Sequence, residues 1–436
     1  MEVTLQEVLD AREKRAEKQK ELLQKHEKTL VCFTMNIAGP VKYSPLIAQG
    51  FRMGCQALSE QLGDRVLYSQ KLPRHTGCEA FFTVDMAAEE VKAITTAIEE
   101  ATPLGRLFDM DVFAPDGTRL QRQRERTCLL CGKSAKVCGR SRAHSVEALQ
   151  AKTDAILREA LQQERSRQIA ARAVKALLYE VCTAPKPGLV DRLGSGSHRD
   201  MDLFTFMGSA AVLQPYFADC AGAGMATAEK PAEATFARLR FLGKAAEQTM
   251  LAETGGVNTH KGAIFTMGLL CGAAGRLENS QPEAILAEVA AMCRGLTDRD
   301  LGGITKETAK TAGQRLYADH GITGIRGQAE RGYPAVLHTG LPVLEEGLTM
   351  GLSPERSGCA ALLAMLTATQ DTNLITRGGL ERTRALTREI ALLLAKNRYP
   401  DREQLTALDD LFTEENLSPG GTADLLAACW FLHFMR

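Results

Sequence analysis

The chain has 436 residues, 44% hydrophobic and 24% charged, with 53 basic and 53 acidic side chains that cancel to a formal net charge of zero. That balance excludes a surface drawn as a whole to nucleic acid or anionic lipid, so any basic site must be local. No run approaches the roughly 18 apolar residues of a membrane span, the opening stretch lacks the apolar core of a signal peptide, and the twelve cysteines are expected as reduced thiols in the cytoplasm.

In chain order, MEVTLQEVLDAREKRAEKQKELLQK reads as a charged amphipathic helix. TLVCFTMNIAGPVK (29–42) reads as a buried strand closed by a turn at Gly39-Pro40. A helix over 44–62, a short strand in DRVLYSQ, a second strand in CEAFFTVDM (78–86) and a helix in AAEEVKAITTAIEEA follow. GRLFDMDVFAPDGTRLQRQ reads as a hairpin, with Pro-Asp-Gly supplying the turn. From Ala148 onward the periodic segments are helical: 147–182, 202–217, 233–253, 261–276, 282–294, 305–318, 354–369, 379–396 and 422–435. The fold class is therefore an α+β N-terminal domain (1–163) followed by an all-α C-terminal domain (164–436). Neither Gly nor Pro occurs between Gly139 and Pro185, so the junction, placed in the charged LREALQQERSRQ, is expected to be helical.

Asp109 and Asp111 flank Met110. Alternate side chains of a strand share a face, so the two carboxylates can converge on one divalent cation while Phe108, Met110 and Val112 face inward. Such a pair suits metal-assisted phosphoryl or nucleotidyl transfer. Arg106 precedes it, and Arg119, Arg122, Arg124, Arg126, Lys133, Lys136, Arg140 and Arg142 follow; Arg106 and Arg126 are the candidate anion ligands. A solvated face is the bland alternative for such a run. Within it, Cys128, Cys131, Cys138 and His144 have the spacing C-x2-C-x6-C-x5-H. That set is either a structural Cys₃His site for Zn²⁺ or a group of reduced thiols that merely pack.

TMNIAGPVK, TGCEAFF, GRLFDMDVFAPDGTRLQR and RTCLLCGKSAKVCGRSRAHS, in this order over roughly residues 5–160, resemble the holo-citrate lyase synthase family, the apo-citrate lyase phosphoribosyl-dephospho-CoA transferases. The resemblance implies that a serine hydroxyl of the lyase's acyl carrier (γ) subunit attacks an activated prosthetic-group precursor, forming a phosphodiester and releasing pyrophosphate. The chain lacks a Gly-Ser motif shortly before Asp109, a departure from the usual nucleotidyltransferase pattern that leaves the third metal ligand open.

The C-terminal half carries a second set. APKPGLVDRLGSGSHRDMDLF (184–204) crowds Lys186, Asp191, His198, Asp200 and Asp202 ahead of a helix. ETGGVNTHKGAIF runs from a Gly turn through Asn258, Thr259, His260 and Lys261 into an apolar helix, whose free N–H groups suit phosphate. QDTNLITRGG contributes Asp371, Asn373 and Arg377, GIRGQAERGYP contributes Arg326, Glu330 and Arg331, and SPGGTADLLA places Asp424 after Gly420-Gly421. Taken singly, each has an ordinary structural explanation; several acid-bearing helix starts in one helical domain point to a metal and phosphate site.

This set, with RGYPAVLHTGLP, resembles triphosphoribosyl-dephospho-CoA synthase over roughly 170–436. The resemblance implies that ATP and 3′-dephospho-CoA combine with release of adenine. On that reading Asp200, Asp202, Asp371 and Asp424 hold Mg²⁺, Lys186, His260 and Lys261 bind phosphates, and Asn258 and Thr259 complete the nucleotide-binding set. His198, a candidate acid, and Asp200 are the catalytic residues, with the carboxylate that serves as base left open. The two resemblances describe consecutive steps. Three rivals are service to malonate decarboxylase, a zinc-bearing nucleic-acid-binding module fused to a helical domain, and a non-catalytic carrier-protein chaperone. The citrate-lyase-like N-terminal motifs weigh against the first, and zero net charge with few aromatics near the basic run weighs against the second. Neither nucleic acid nor membrane is an expected partner.

Overall fold

A computed structural model describes residues 2–278 and 281–436, so Met1 of the opening helical stretch lies outside it. The chain divides into two compact units, residues 1–164 and 165–436. The first is α+β and the second all-α among the described residues, as the sequence implies.

In the first unit α1 (Leu5–His26), β1 (Thr29–Met35), α2 (Pro45–Leu62), β2 (Val66–Arg74), β3 (Gly77–Val84), α3 (Ala88–Ala101), β4 (Phe108–Phe113) and α4 (Ala135–Ser141) precede α5 (Val146–Cys182), which runs through the division. The four strands form an antiparallel sheet in the order β2-β3-β1-β4. One face carries Val31, Phe33, Ala80, Phe82, Phe108, Met110 and Val112 and packs with Phe51 and Leu58 of α2 and Val91 of α3. The other carries Leu30, Cys32 and Phe81, clustered with Leu22 of α1. β1 and β3 are thus buried on both faces, whereas the edge strand β4 alternates buried and half-buried residues and leaves Asp109 and Asp111 on one side. The second strand of the expected hairpin does not form. After the turn only Phe113 pairs with Arg119, because the following arginines turn toward Asp111 and toward Glu99 of α3.

The second unit continues with α6 (Leu203–Val212), α7 (Gln214–Ala226), α8 (Ala232–Glu253), α9 (Lys261–Arg276), α10 (Pro282–Met292), α11 (Leu296–Leu301), α12 (Ala312–His320) and α13 (Gly324–Glu330). After a short π turn come α14 (Leu341–Thr349), α15 (Pro354–Ala368), α16 (Thr372–Lys396), α17 (Arg402–Glu414) and α18 (Gly420–Met435). Two helices are buried nearly all round, α9 and α18. In α9 this needs small residues: a Cβ on Gly275 would lie 2.1 Å from the Ala221 carbonyl of α7, and one on Gly224 equally close to the Gly272 carbonyl. No described helix is long and apolar enough to cross a membrane.

Three expected boundaries change. The helix expected over 202–217 is two, because Pro215 opens α7 and cannot continue the hydrogen bonding of α6. The helix expected from 305 begins at Ala312, capped by Thr311 and Gln314. The helix expected from 379 begins at Thr372, and Gly379, at φ 76°, breaks it internally.

Two candidate active sites

The second unit holds an open cavity of about 360 Å³ lined by residues from five segments of the chain. Helices α9 and α18 both begin at it, and the first turns of α16 add Asn373, Thr376 and Arg377. His260 and Pro419, at the N-cap positions of α9 and α18, make no side-chain cap of their own. One first-turn N–H of each helix is taken from elsewhere, Lys261 N–H by Asn258 and Thr422 N–H by Asp371, and the positive ends of the two helices bear on one volume. Lys186, His198, Asp200, Asn258, Thr259, His260, Lys261 and Asp424 all line it.

The loop 184–202 is held by its own carboxylate. Asp191, buried, accepts from the backbone N–H groups of Lys186 (2.8 Å), Leu193 (2.6 Å) and Gly194 (3.2 Å). Gly188 and Gly196 have positive φ and sit where a Cβ would meet backbone at 2.1 and 2.6 Å. Asp200 is exposed on the cavity rim, and Asp202 instead caps α6, accepting from Thr205 N–H (2.9 Å) and its hydroxyl (2.7 Å). The three carboxylates of one loop therefore fold the turn, face the cavity and start a helix, respectively.

Lys186 is 1% exposed and its ammonium bonds Glu180 of α5, equally sequestered in the cavity wall. Burial raises the Glu180 carboxyl, and Lys186 partly offsets this. Glu180 lies in the last turn of the long helix α5 with no local signature, and only its spatial pairing with Lys186 marks it. Lys186→Met leaves that carboxylate alone in the wall; a loss of about 3–5 kcal/mol is expected in equilibrium unfolding. The double variant Glu180→Gln/Lys186→Met should recover most of it.

His260 is fixed by a relay in which the Thr259 hydroxyl donates to Ser209 Oγ (2.8 Å) and Ser209 in turn to His260 Nδ1 (2.7 Å). Burial, and then Lys186, lower His260 to about 3, so it is a neutral imidazole whose Nε2–H has no protein partner. His198 is also held neutral, by burial and then Arg377. Arg377 donates to its Nδ1 (3.5 Å), so the proton sits on Nε2 and is directed to Ser418 Oγ (2.9 Å). His198 thus holds its proton on Nε2 against Ser418 while lining the cavity.

Asp424 faces the cavity from the first turns of α18. A Cβ on Gly262 would lie 1.9 Å from its Oδ2, so the α9 start approaches the carboxylate through a glycine. Burial, then Glu180 and Asp371, raise Asp424 well above the usual carboxylate range. Asp371 does not reach the cavity lining. Its oxygens accept from the N–H groups of Asn373 (2.9 Å), Leu374 (3.0 Å) and Thr422 (2.6 Å) and from the Thr422 hydroxyl (2.8 Å), which lashes the starts of α16 and α18 together. Of the four acids expected on one cation, Asp200 and Asp424 line the same space and Asp202 and Asp371 serve as caps. Arg326 pairs with Asp300 (3.0 Å) and Glu330 accepts from Thr297 N–H (3.2 Å), both outside the cavity lining, as is Arg331. Lys261 is exposed and 3.0 Å from Glu247.

In the first unit Asp109 and Asp111 share a face of β4, on the side away from Phe108, Met110 and Val112. Arg119 bonds Asp111, and Arg126 lies 3.4 Å from Asp109. Glu99, unremarkable in the sequence, ties the site together. Buried at the end of α3, it accepts from Met110 N–H (2.7 Å) and from Arg126 (2.6 Å), and pairs with Arg122 (3.1 Å). Arg126 and Arg106 also line an open cavity of about 810 Å³ with Asn36, Thr127 and Arg142, and Arg106 is held there by the Thr127 carbonyl (2.5 Å). Cys128, Cys138 and His144 reach its wall.

Comparison with known proteins follows the same division. The family model described as ATP:dephospho-CoA triphosphoribosyl transferase matches residues 166–436, and that described as apo-citrate lyase phosphoribosyl-dephospho-CoA transferase matches residues 3–160. A protein named CitXG from Haemophilus influenzae is 36% identical over 455 aligned positions, covering 99% of this chain and 96% of that one.

Proposed function

The chain belongs to the family of CitX–CitG fusions, bifunctional transferases of citrate lyase prosthetic-group synthesis, and from that premise we propose which unit performs which step and with which residues. The C-terminal unit joins ATP to 3′-dephospho-CoA. The 2′-hydroxyl of dephospho-CoA attacks C1 of the ATP ribose, the bond from that carbon to adenine N9 breaks, and 2′-(5″-triphosphoribosyl)-3′-dephospho-CoA and adenine result. The hydroxyl loses one proton and adenine gains one, so the step balances.

The observation that carries this reading is the meeting of two helix starts with Asp200, Asp424, Lys261, Arg377 and the unpartnered His260 Nε2–H around one cavity. The helix starts, Lys261, Arg377 and His260 take the triphosphate. Asn258 accepts from Lys261 N–H (3.2 Å) and shapes that turn. Met201, Phe206 and Leu177 form the apolar part of the lining and take the base. Asp200, exposed at the rim and free of ion pairs, accepts the hydroxyl proton.

Mg²⁺ fits the donor set: the half-buried Asp424 lines the cavity beside the Glu180–Lys186 pair, and Mg²⁺ needs only one or two protein carboxylates when phosphates complete its shell. Asp424 would hold it, and it would neutralise triphosphate charge.

In the N-terminal unit the serine hydroxyl of the acyl carrier subunit attacks the ribose-linked phosphorus, the bond to the bridging oxygen breaks, and pyrophosphate leaves as the phosphodiester forms. Asp109 and Asp111 fit a divalent cation, being acceptor-only groups on one strand face now neutralised by Arg119 and Arg126. With the cation in place those guanidiniums, with Arg106, are available to phosphate oxygens. All twelve cysteines are free thiols, which suits the cytoplasm as the place of reaction.

Incubation of the purified chain with ATP, Mg²⁺ and 3′-dephospho-CoA should yield free adenine and triphosphoribosylated dephospho-CoA by mass spectrometry. Added apo acyl carrier subunit should then gain the mass of the phosphoribosyl-dephospho-CoA group. Intact ATP, or ADP or AMP without adenine, would sink the ribosyl-transfer assignment.

A further inference from the structure

The segment from Gln121 to Val146 has almost no apolar interior. Its only buried residues are Cys128 and Cys138, and its one regular element is the seven-residue helix α4. A stretch of this length needs something other than hydrophobic burial to hold a single conformation.

The backbone of this segment gathers four soft ligands at one point. Thr127 and Ser134 pair across a turn in which Cys128 N–H donates to Lys133 O (2.6 Å) and Gly132, at φ 71°, donates to Cys128 O (3.3 Å). The turn points the sulfurs of Cys128-Leu-Leu-Cys131 to one side, with Leu130 N–H directed at Cys128 Sγ (3.5 Å). Helix α4 brings Cys138, and its end at Arg142, in the left-handed region, folds the chain back so that Ala143 N–H reaches Cys138 O (3.1 Å) and His144 returns. Cys131 Sγ then lies 3.4 Å from Cys138 Sγ and 3.3 Å from His144 Nε2, and all four ligand atoms fall within 4.8 Å of one another.

Tetrahedral Zn²⁺ with thiolates at about 2.3 Å and imidazole at about 2.1 Å spaces its ligands roughly 3.5–3.8 Å apart, close to what is seen. A disulfide between Cys131 and Cys138 would leave the third thiol and the imidazole without a role. We propose that Cys128, Cys131, Cys138 and His144 bind one Zn²⁺, and that this ion fixes the segment as a wall of the 810 Å³ cavity, holding Arg126 and Arg142 toward an anionic substrate. Binding releases the three thiol protons to solvent. Four protein ligands close the tetrahedron, so the ion is structural and takes no substrate. The wall's role in transfer rests on the function proposed above for the first unit; the metal site does not.

The test is metal content of the full-length chain by mass spectrometry, without substrate. About one zinc per chain is expected, and none in Cys128→Ser/Cys131→Ser. Cobalt exchanged into the wild type should show intense thiolate-to-metal charge transfer. The variant should lose transfer to the acyl carrier at least tenfold while releasing adenine at the wild-type rate. Zinc content equal in wild type and variant, or thiol titration showing a disulfide among these cysteines, overturns the metal site. Stoichiometric zinc with undiminished transfer in the variant overturns its role in the cavity wall.

Discussion

Asp424→Asn is expected to cut adenine release on the order of 100-fold or more, the scale seen when one preorganised electrostatic contact to a reacting site is removed, while leaving the fold intact or more stable. The two halves of that expectation have one cause. Asp424 is a carboxyl raised by burial and by the charges of Glu180 and Asp371, so its ionised form is unfavourable in the free protein and is kept for what it does with ligand bound. A raised carboxyl lowers stability as pH climbs above its unfolded value of about 4. The variant's stability advantage should therefore be absent near about pH 3 and grow through neutral pH. ATP with Mg²⁺ should reverse the order by raising the wild-type melting temperature more than the variant's. Full activity in the Asp424→Asn enzyme would remove Asp424 from the cation site; equal stabilisation of both proteins by ATP would do so as well.

Asp109→Asn combined with Asp111→Asn should abolish loading of the acyl carrier subunit, by about 1000-fold or more, equivalent to about 4 kcal/mol of transition-state stabilisation. Adenine release should be unchanged. Both carboxylates are partly exposed and face arginines, and surface pairs of this kind contribute about 1 kcal/mol or less, so unfolding should barely move. Mass analysis of the carrier subunit after incubation with presynthesised precursor measures the first effect directly. Retained loading would reduce the pair to a surface feature and favour a chaperone role for this unit.

The parts of this molecule that follow local rules could be read in the sequence. Alternation in GRLFDMDVF gave both the strand and the side on which the acids stand, because period-two geometry leaves no other choice. The loop at 184–202, the turn at 258–261 and the start of α18 announced themselves by glycines and polar groups ahead of apolar helices, and the fold brings them to one cavity. What could not be read is how equivalent residues divide their work. Asp200, Asp202 and Asp371 all precede or open helices; Asp202 and Asp371 are caps through N–H groups two or three residues on, whereas the place of Asp200 on the cavity depends on segments distant in sequence. Glu99 and Glu180 carry no local mark at all, since each matters through arginines or a lysine distant in sequence or across a turn. Two omissions did have signals: Pro215 divides α6 from α7, and Asp401 with Gln404 forms the capping box that opens α17.

The cavity of the second unit draws its lining from residues 177–206, 258–263, 312, 373–377 and 418–427. During synthesis those segments leave the ribosome in that order, and domains fold largely as units from the N-terminal side. The first unit is therefore complete while the cavity still lacks the helix start that bears Asp424. On the function proposed above, each nascent chain passes through a period in which it can consume the activated precursor but not make it, so the first precursor available to a new chain comes from chains finished before it.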